Sequence, residues 1–358
     1  MLLDAWEQPV GLNPGDYAEP LHVHAFPLWK HRFVARCFPG RQVEFLREGA
    51  VVPAQGTLVL WGMAPLPPGT PSGMPVLRLE DGFLRSVGLG AELVRPVSWV
   101  VDPVGMYYDA TRPSELEHLL QHGEFGPELL ARARGLRRQV LAAGLTKYNV
   151  GARAWRRPAQ ARRVVLVVGQ VESDASLAWG APGVRGNLEL LRRVREACPD
   201  AHVLYKPHPD VVAGLRKLGV GEQTAEGLCD ELVGDVAMGQ LLGALGAQDE
   251  VHVMTSLAGF EALLRGLSGV CHGQPFYAGW GLTRDALPHP RRTRRLTLDQ
   301  LVAAALLLYP LYLGAEGALV DAEQAVAELA AWKRRRGGAT RWWQAPWRML
   351  LRRFIGVR

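Results

Sequence analysis

The stretch VVLVVGQVESDAS, residues 164–176, constrains this chain more than any other. Val164 to Val168 run together with no polar break, and Gly169 ends the run. A short β-branched run bounded by glycine reads as a strand buried on both faces, the kind found in parallel sheets covered by helices. The pattern recurs. AHVLYKPHPD and EVHVMTS read as further strands, and helices are expected near Asn187–Ala197, in VAMGQLLGALG and in LAGFEALLRG. Strands alternating with helices imply a parallel sheet with right-handed crossovers, and such sheets bind ligands beyond the carboxyl ends of their strands. Each strand here ends in polar residues: Gln170 to Ser176, Lys206 to Asp210, then Thr255 and Ser256.

The chain has 358 residues, more than one core usually holds, so two domains are expected. The first third reads as a less regular α/β region with strands in QGTLVLWG, MPVLRLEDGFLRS and PVSWVVDPVGMYYD. A helix in RPSELEHLLQHG has a clear start at Pro113–Glu115 and a stop at Gly123. A second helix is expected over about Pro127–Ala143, followed by the basic segment KYNVGARAWRRPAQARR, where the domain boundary is placed. The division is then 1–150, 151–315 and a C-terminal segment 316–358. The apolar run Leu301 to Leu313 is shorter than the roughly 20 residues of a bilayer span and reads as a core helix. The N-terminus carries Asp4 and Glu7 where a signal peptide has positive charge, and the four cysteines are scattered without a CxxC. Both point to a cytoplasmic protein with reduced thiols and no membrane span. The net charge of +6 favours an anionic partner.

Several clusters carry chemistry. In KPHPD, Pro207 and Pro209 stiffen a loop that holds Lys206 and His208, a pair suited to a phosphate or to a plain turn. In MTSLAGFEALLRG, Thr255 or Ser256 is placed at a helix N-cap with Glu261 in the second turn, a phosphate-binding arrangement or simply a cap. EDGFLRSVGLG gathers Glu80, Asp81, Arg85 and Ser86 as a catalytic loop or a tight ion-paired turn. GQPFYAGWGLTRD offers Tyr277 and Arg284 to a sugar or a base, or packs a buried loop. The tail from Trp332 is basic, rich in tryptophan and free of acids, which suits an anionic membrane interface. It carries no nucleic-acid recognition motif, so no nucleic-acid partner is expected.

These motifs, in unbroken order from about Leu60 to Asp285, closely resemble the capsule polysaccharide biosynthesis family of β-Kdo transferases. The resemblance implies a GT-B-like fold: two Rossmann-like domains with a cleft between them, here with a basic amphipathic C-terminal tail. It implies transfer of Kdo from CMP-Kdo to a lipid-linked acceptor of the (lyso)phosphatidylglycerol type, building the poly-Kdo linker for capsule assembly. Residues 1–150 then take the acceptor side, 151–315 bind the CMP-sugar, and 316–358 meet the membrane on the inner face of the inner membrane. Many members carry two modules, and this chain has length for one, so a second Kdo transferase and the export machinery are further partners. Lys206, His208, Thr255, Ser256 and Glu261 resemble the groups that hold CMP, and Asp81 and Arg85 are assigned to the acceptor or the sugar carboxylate. A β-product from CMP-β-Kdo means retention, which suggests two displacements through a carboxylate nucleophile. Asp174 is the first choice, Glu172 its rival, with Gln170 orienting the sugar. Ser173 stands where the resemblance leads one to expect an acid. No cofactor and no metal are expected. The alternatives are an epimerase or hydrolase on the same architecture, or a non-catalytic docking module.

Overall fold

The structure, a computed structural model, describes residues 17–89, 93–151 and 153–336. The first domain carries β1 (Leu21–His24), α1 (Leu28–Cys37), β2 (Val43–Leu46), β3 (Thr57–Trp61), β4 (Val76–Asp81), β5 (Ser98–Asp102), α2 (Glu115–His122) and α3 (Pro127–Ala142). The second carries β6 (Val164–Val168), α4 (Ala175–Gly180), α5 (Asn187–Ala197), β7 (His202–Lys206), α6 (Pro209–Val212), β8 (Glu231–Leu232), α7 (Met238–Gly243), β9 (Glu250–Val253), α8 (Ala258–Leu264), β10 (Ser268–Cys271) and β11 (Arg284–Asp285). Then come α9 (Leu298–Val302), β12 (Pro310–Leu313), β13 (Leu319–Val320) and α10 (Ala322–Arg336).

The second sheet matches the sequence expectation. Its order is β11-β10-β9-β6-β7-β8 and every pairing is parallel. β6 sits centrally and is buried along its whole length, as its unbroken valine run requires. Alternate residues serve two cores. Val164, Leu166 and Val168 face one, and Val165 and Val167 face the other under α5. The domain packing follows from strand periodicity alone.

The first sheet is mixed, with order β13-β12-β5-β4-β3-β1-β2. β1, β2, β3 and β4 run parallel, while β4–β5, β5–β12 and β12–β13 are antiparallel. Two sequence expectations change here. Leu301 to Leu313 is not one helix. It starts in α9, widens into a π-helical turn over Ala303–Leu308, and becomes a strand at Pro310. Proline lacks the N–H a helix needs and is tolerated at a strand's first residue. The boundary at 315 also fails to describe the chain. β12 crosses back to pair with β5 in the first sheet, and α10 packs on α3, where Arg132 and Glu323 form a two-pronged ion pair at 2.7 and 2.9 Å. The chain ends its described course on the first domain.

No helix among the described residues is long and apolar enough to cross a membrane. The tail beyond Arg336 lies outside the described residues.

Candidate active site

A cleft of about 840 Å³ opens between the two domains at the carboxyl ends of both sheets. From the second domain it is lined by the loops after β6, β7 and β9. From the first it is lined by the end of β4, the segment after α3, and α1.

The loop after β7 holds the clearest anion cradle. His208 caps α6, and its Nδ1 accepts the Asp210 N–H at 3.1 Å. That contact leaves the ring proton on Nε2, the remaining donor. Burial, and then Lys147, push the imidazole down to about 4, so it is a neutral N–H donor at pH 7. Lys206 is buried and its ammonium donates to the carbonyls of Val233 (3.3 Å) and Gly234 (3.0 Å). Burial lowers its pKa to about 8, so it stays largely cationic at neutral pH. Beyond β9, Ser256 Oγ accepts the Ala258 N–H at 3.3 Å at the start of α8. The helix begins one residue later than the sequence suggests, with Leu257 at the cap, which brings Glu261 into the first turn. Glu261 is buried, and its Oε1 accepts the Lys147 N–H at 2.7 Å. Burial holds its carboxyl up at about 7.

The loop after β6 separates its two acids. Asp174 is exposed to the cleft, where it caps α4 by accepting the Ser176 N–H at 2.8 Å. Gln170 lines the cleft behind it, fixed by Thr255 N–H at 2.8 Å and by Thr255 Oγ1 at 3.0 Å. Glu172 turns away from the cleft. Its two oxygens accept the N–H groups of Asn187 and Val220, both at 2.9 Å, tying the start of α5 to the segment after α6. Glu172 is therefore a brace, not a group that faces the same space as Asp174.

Two further expected contacts lie elsewhere. Tyr277 is fully buried and its hydroxyl donates to the Ser256 carbonyl, so it supports the start of α8 from beneath. Arg284 sits on the edge strand β11 and pairs with Glu250 at 2.5 Å. Both belong to the packing of their loop, which was one of the two readings of that segment.

On the first-domain wall, Arg85 grips Asp81 through a 2.5 Å hydrogen bond, and Lys30 stands 3.7 Å from the same carboxylate and 3.0 Å over the Trp61 ring. Asp81 is held below the usual carboxylate range by these cations, despite burial. Its neighbour Glu80 moves the other way. Burial first, and the Asp81 charge second, raise its carboxyl. Glu80 Oε2 lies 3.5 Å from the Tyr108 hydroxyl. Lys30, Glu80 and Lys147 line the cleft; Glu80 was named from sequence only as part of a candidate catalytic loop without a role, and the two lysines were not singled out. Lys30 is an isolated lysine in a tryptophan-flanked helix, and Lys147 hides in what reads as a basic linker. Only Glu80 carried a signal, as one of two adjacent acids at a strand end.

The cysteine spacing gave no metal signal, yet the fold brings Cys198 beside Glu250 and His252, away from the cleft lining. Arg163 fills that space, 2.9 Å from Glu250 and 3.6 Å from Cys198. A guanidinium already supplies the positive charge there.

The family model for capsule polysaccharide biosynthesis protein matches residues 70–150 and 128–313. The chain belongs to that family. It is 48% identical over 240 residues to the capsule polysaccharide modification protein LipA of Neisseria meningitidis serogroup A, a match covering 67% of this chain and 34% of LipA. The chain thus spans about a third of that relative's length. It is 42% identical over 322 residues to the lipopolysaccharide-processing protein LpsZ of Rhizobium meliloti, covering 84% of this chain and 72% of LpsZ. Among solved structures, the β-Kdo 2,7 transferase of Thermosulfurimonas dismutans KpsC aligns with a TM-score of 0.71 and 38% identity over 88% of this chain and 100% of that one. The β-Kdo 2,4 transferase of the same KpsC gives 0.71 and 34% over 86% and 97%. The two-domain α/β architecture with its central cleft is the fold these transferases share.

Proposed function

We propose that this chain is a retaining glycosyltransferase that moves Kdo from CMP-Kdo to a lipid-linked acceptor in the assembly of a capsule's poly-Kdo linker. One observation carries the reading. One cleft faces a neutral His208 donor and the Lys206 ammonium with the exposed carboxylate of Asp174, and an acidic pair stands across it on the other domain. The likeness to the two KpsC transferase modules supports the same class.

In this reading the CMP phosphate lies against His208 Nε2–H, Lys206 and the start of α8. These donors stabilise the charge that develops as the phosphate leaves. Asp174 attacks the anomeric carbon and forms a glycosyl ester as CMP departs. An acceptor hydroxyl then attacks from the face the phosphate left, giving retention. That second step needs a base. Glu172 is committed to backbone N–H groups, so the role passes to Glu80, whose raised pKa suits proton transfer near neutral pH. No step calls for a metal or a cofactor. The basic tail would hold the enzyme on the anionic cytoplasmic surface where its acceptor resides, beside a second Kdo transferase and the export machinery.

The test is transfer from CMP-Kdo, generated in situ, to soluble acceptors bearing zero, one or two β-Kdo residues, with EDTA present in one arm. Products are read by mass and linkage by NMR. Transfer with β-configuration is expected on one acceptor class. Folded enzyme that neither transfers Kdo nor releases CMP refutes the reading.

A further inference from the structure

The segment Thr146–Asn149 is pinned to both domains by its backbone. The Lys147 carbonyl accepts Ser86 N–H at 3.1 Å, and the Tyr148 carbonyl accepts Gly88 N–H at 2.8 Å. Toward the other domain, Lys147 N–H donates to Glu261 Oε1 at 2.7 Å. Asn149 closes the turn on itself. Its Oδ1 accepts Thr146 N–H at 2.9 Å, and its Nδ2 donates to the Ser86 carbonyl at 3.0 Å. So much anchoring fixes where the Lys147 side chain points.

That side chain lines the cleft. Its ammonium lies 5.2 Å from the Tyr148 ring centre and has no hydrogen-bond or ion-pair partner among the described residues. The other first-domain cations of the cleft are occupied, since Lys30 and Arg85 both serve Asp81. A half-buried ammonium with spare donors, held on a rigid turn, is a receptor for an anion. Asp174 and Asp81 both act on Lys147 electrostatically, and Lys147 acts in turn on His208. The Tyr148 ring that the ammonium flanks stands 6.1 Å, centre to centre, from the His208 imidazole, and Asp174 lines the same cleft.

We infer that Lys147 receives the carboxylate of the donor sugar and makes the site selective for a 2-keto sugar acid over a neutral sugar. The inference rests on the transferase reading above. In such a donor the anomeric carbon bears both the leaving phosphate and the carboxylate. If His208 holds the first and Asp174 approaches the carbon, the second must lie beside them. Lys147 is the first-domain cation of the cleft without a carboxylate partner of its own, and unlike Lys206 its donors are not taken up by carbonyls. It is a specificity residue that touches substrate, distinct from the cradle that holds CMP.

The experiment compares two quantities in the full chain: kcat/KM for CMP-Kdo and the inhibition constant for CMP alone. K147M keeps the aliphatic stem, and K147Q is read beside it in case one variant misfolds. A charge-assisted hydrogen bond predicts a ten- to hundredfold loss of kcat/KM, roughly, with CMP inhibition unchanged. K147R should restore part of the loss. Parallel weakening of CMP marks a structural role and overturns the inference, as does an unchanged kcat/KM. Both of those outcomes leave an active wild type, and with it the transferase reading, in place. A wild type that transfers no Kdo overturns the reading and this inference together.

Discussion

Glu261 offers a stability experiment whose sign and size follow from its surroundings. The carboxyl is buried at the start of α8, and its pKa rises from 4.5 to about 7, chiefly through desolvation. A raised carboxyl binds its proton more tightly in the folded state than in the unfolded chain. The stability this gives is complete below pH 4.5 and is lost as pH rises through about 7. Each pH unit between those values removes about 1.36 kcal/mol, so by pH 8 the ionised group has cost about 3 kcal/mol. Glu261→Gln removes the titration and keeps the oxygen that accepts the Lys147 N–H at 2.7 Å. The variant should then gain on the wild type as pH rises. The gain is below about 1 kcal/mol at pH 5 and about 3 kcal/mol at pH 8. Thermal melts at pH 5, 6.5 and 8 read this directly, with about 2–4 °C per kcal/mol for domains of this size. Glu80 titrates in the same range but is common to both proteins and cancels. An offset that stays flat across that range refutes the account of Glu261, as does a variant less stable than wild type at pH 8.

Three further expectations follow. Glu172→Ala should cost about 1–3 kcal/mol, because the buried Asn187 N–H loses its acceptor, while turnover of the folded fraction persists; denaturant titration and specific activity check both halves. Asp174→Asn should stay within about 0.5 kcal/mol of wild type, since Asn caps a helix as well as Asp, yet abolish transfer; retained transfer removes Asp174 as nucleophile. Truncation after Arg336 should remove co-sedimentation with anionic vesicles and leave turnover on a soluble acceptor, because Lys333, which donates to the carbonyls of Ala143 and Gly144, is kept.

The second domain was legible because its signals are local. Val164–Val168 can only be a strand buried on both faces, and the glycine and polar residues that follow it mark a sheet edge where ligands bind. His208, Lys206 and Ser256 could be placed on such edges from the alternation of strands and helices. The first domain was harder. β1 and β2 are only four residues each, too short for an alternating pattern to stand out. The return of β12 to β5 pairs residues more than two hundred positions apart, and no local pattern announces that. Pro310 held the one hint that Leu301–Leu313 is not a single helix. The same distance hid Lys147, whose surroundings come from Ser86, Gly88 and Glu261. Nor can sequence separate Glu172 from Asp174. They are two positions apart in one loop, and what divides them is that Asn187 and Val220 offer N–H groups to the first while the second is left to cap α4.

The charge balance of the cleft narrows what can occupy it. Asp81 is matched twice over by Arg85 and Lys30, so that wall carries a surplus of positive charge. On the same wall Lys147 adds an ammonium without a carboxylate partner, while on the opposite wall Lys206 remains largely cationic, its ammonium bound only to carbonyls, and Arg216 also lines the cleft. Against these stand Asp174, Asp210 and Asp235 on the second-domain lining, and the two raised carboxyls of Glu80 and Glu261, which are partly protonated near neutral pH. A neutral sugar would leave the Lys147 and Lys206 ammonium groups without a carboxylate in direct contact. A ligand with two negative charges close together, one for each wall, would give each of them a partner. A sugar acid joined through its anomeric carbon to a nucleoside monophosphate has that charge pattern.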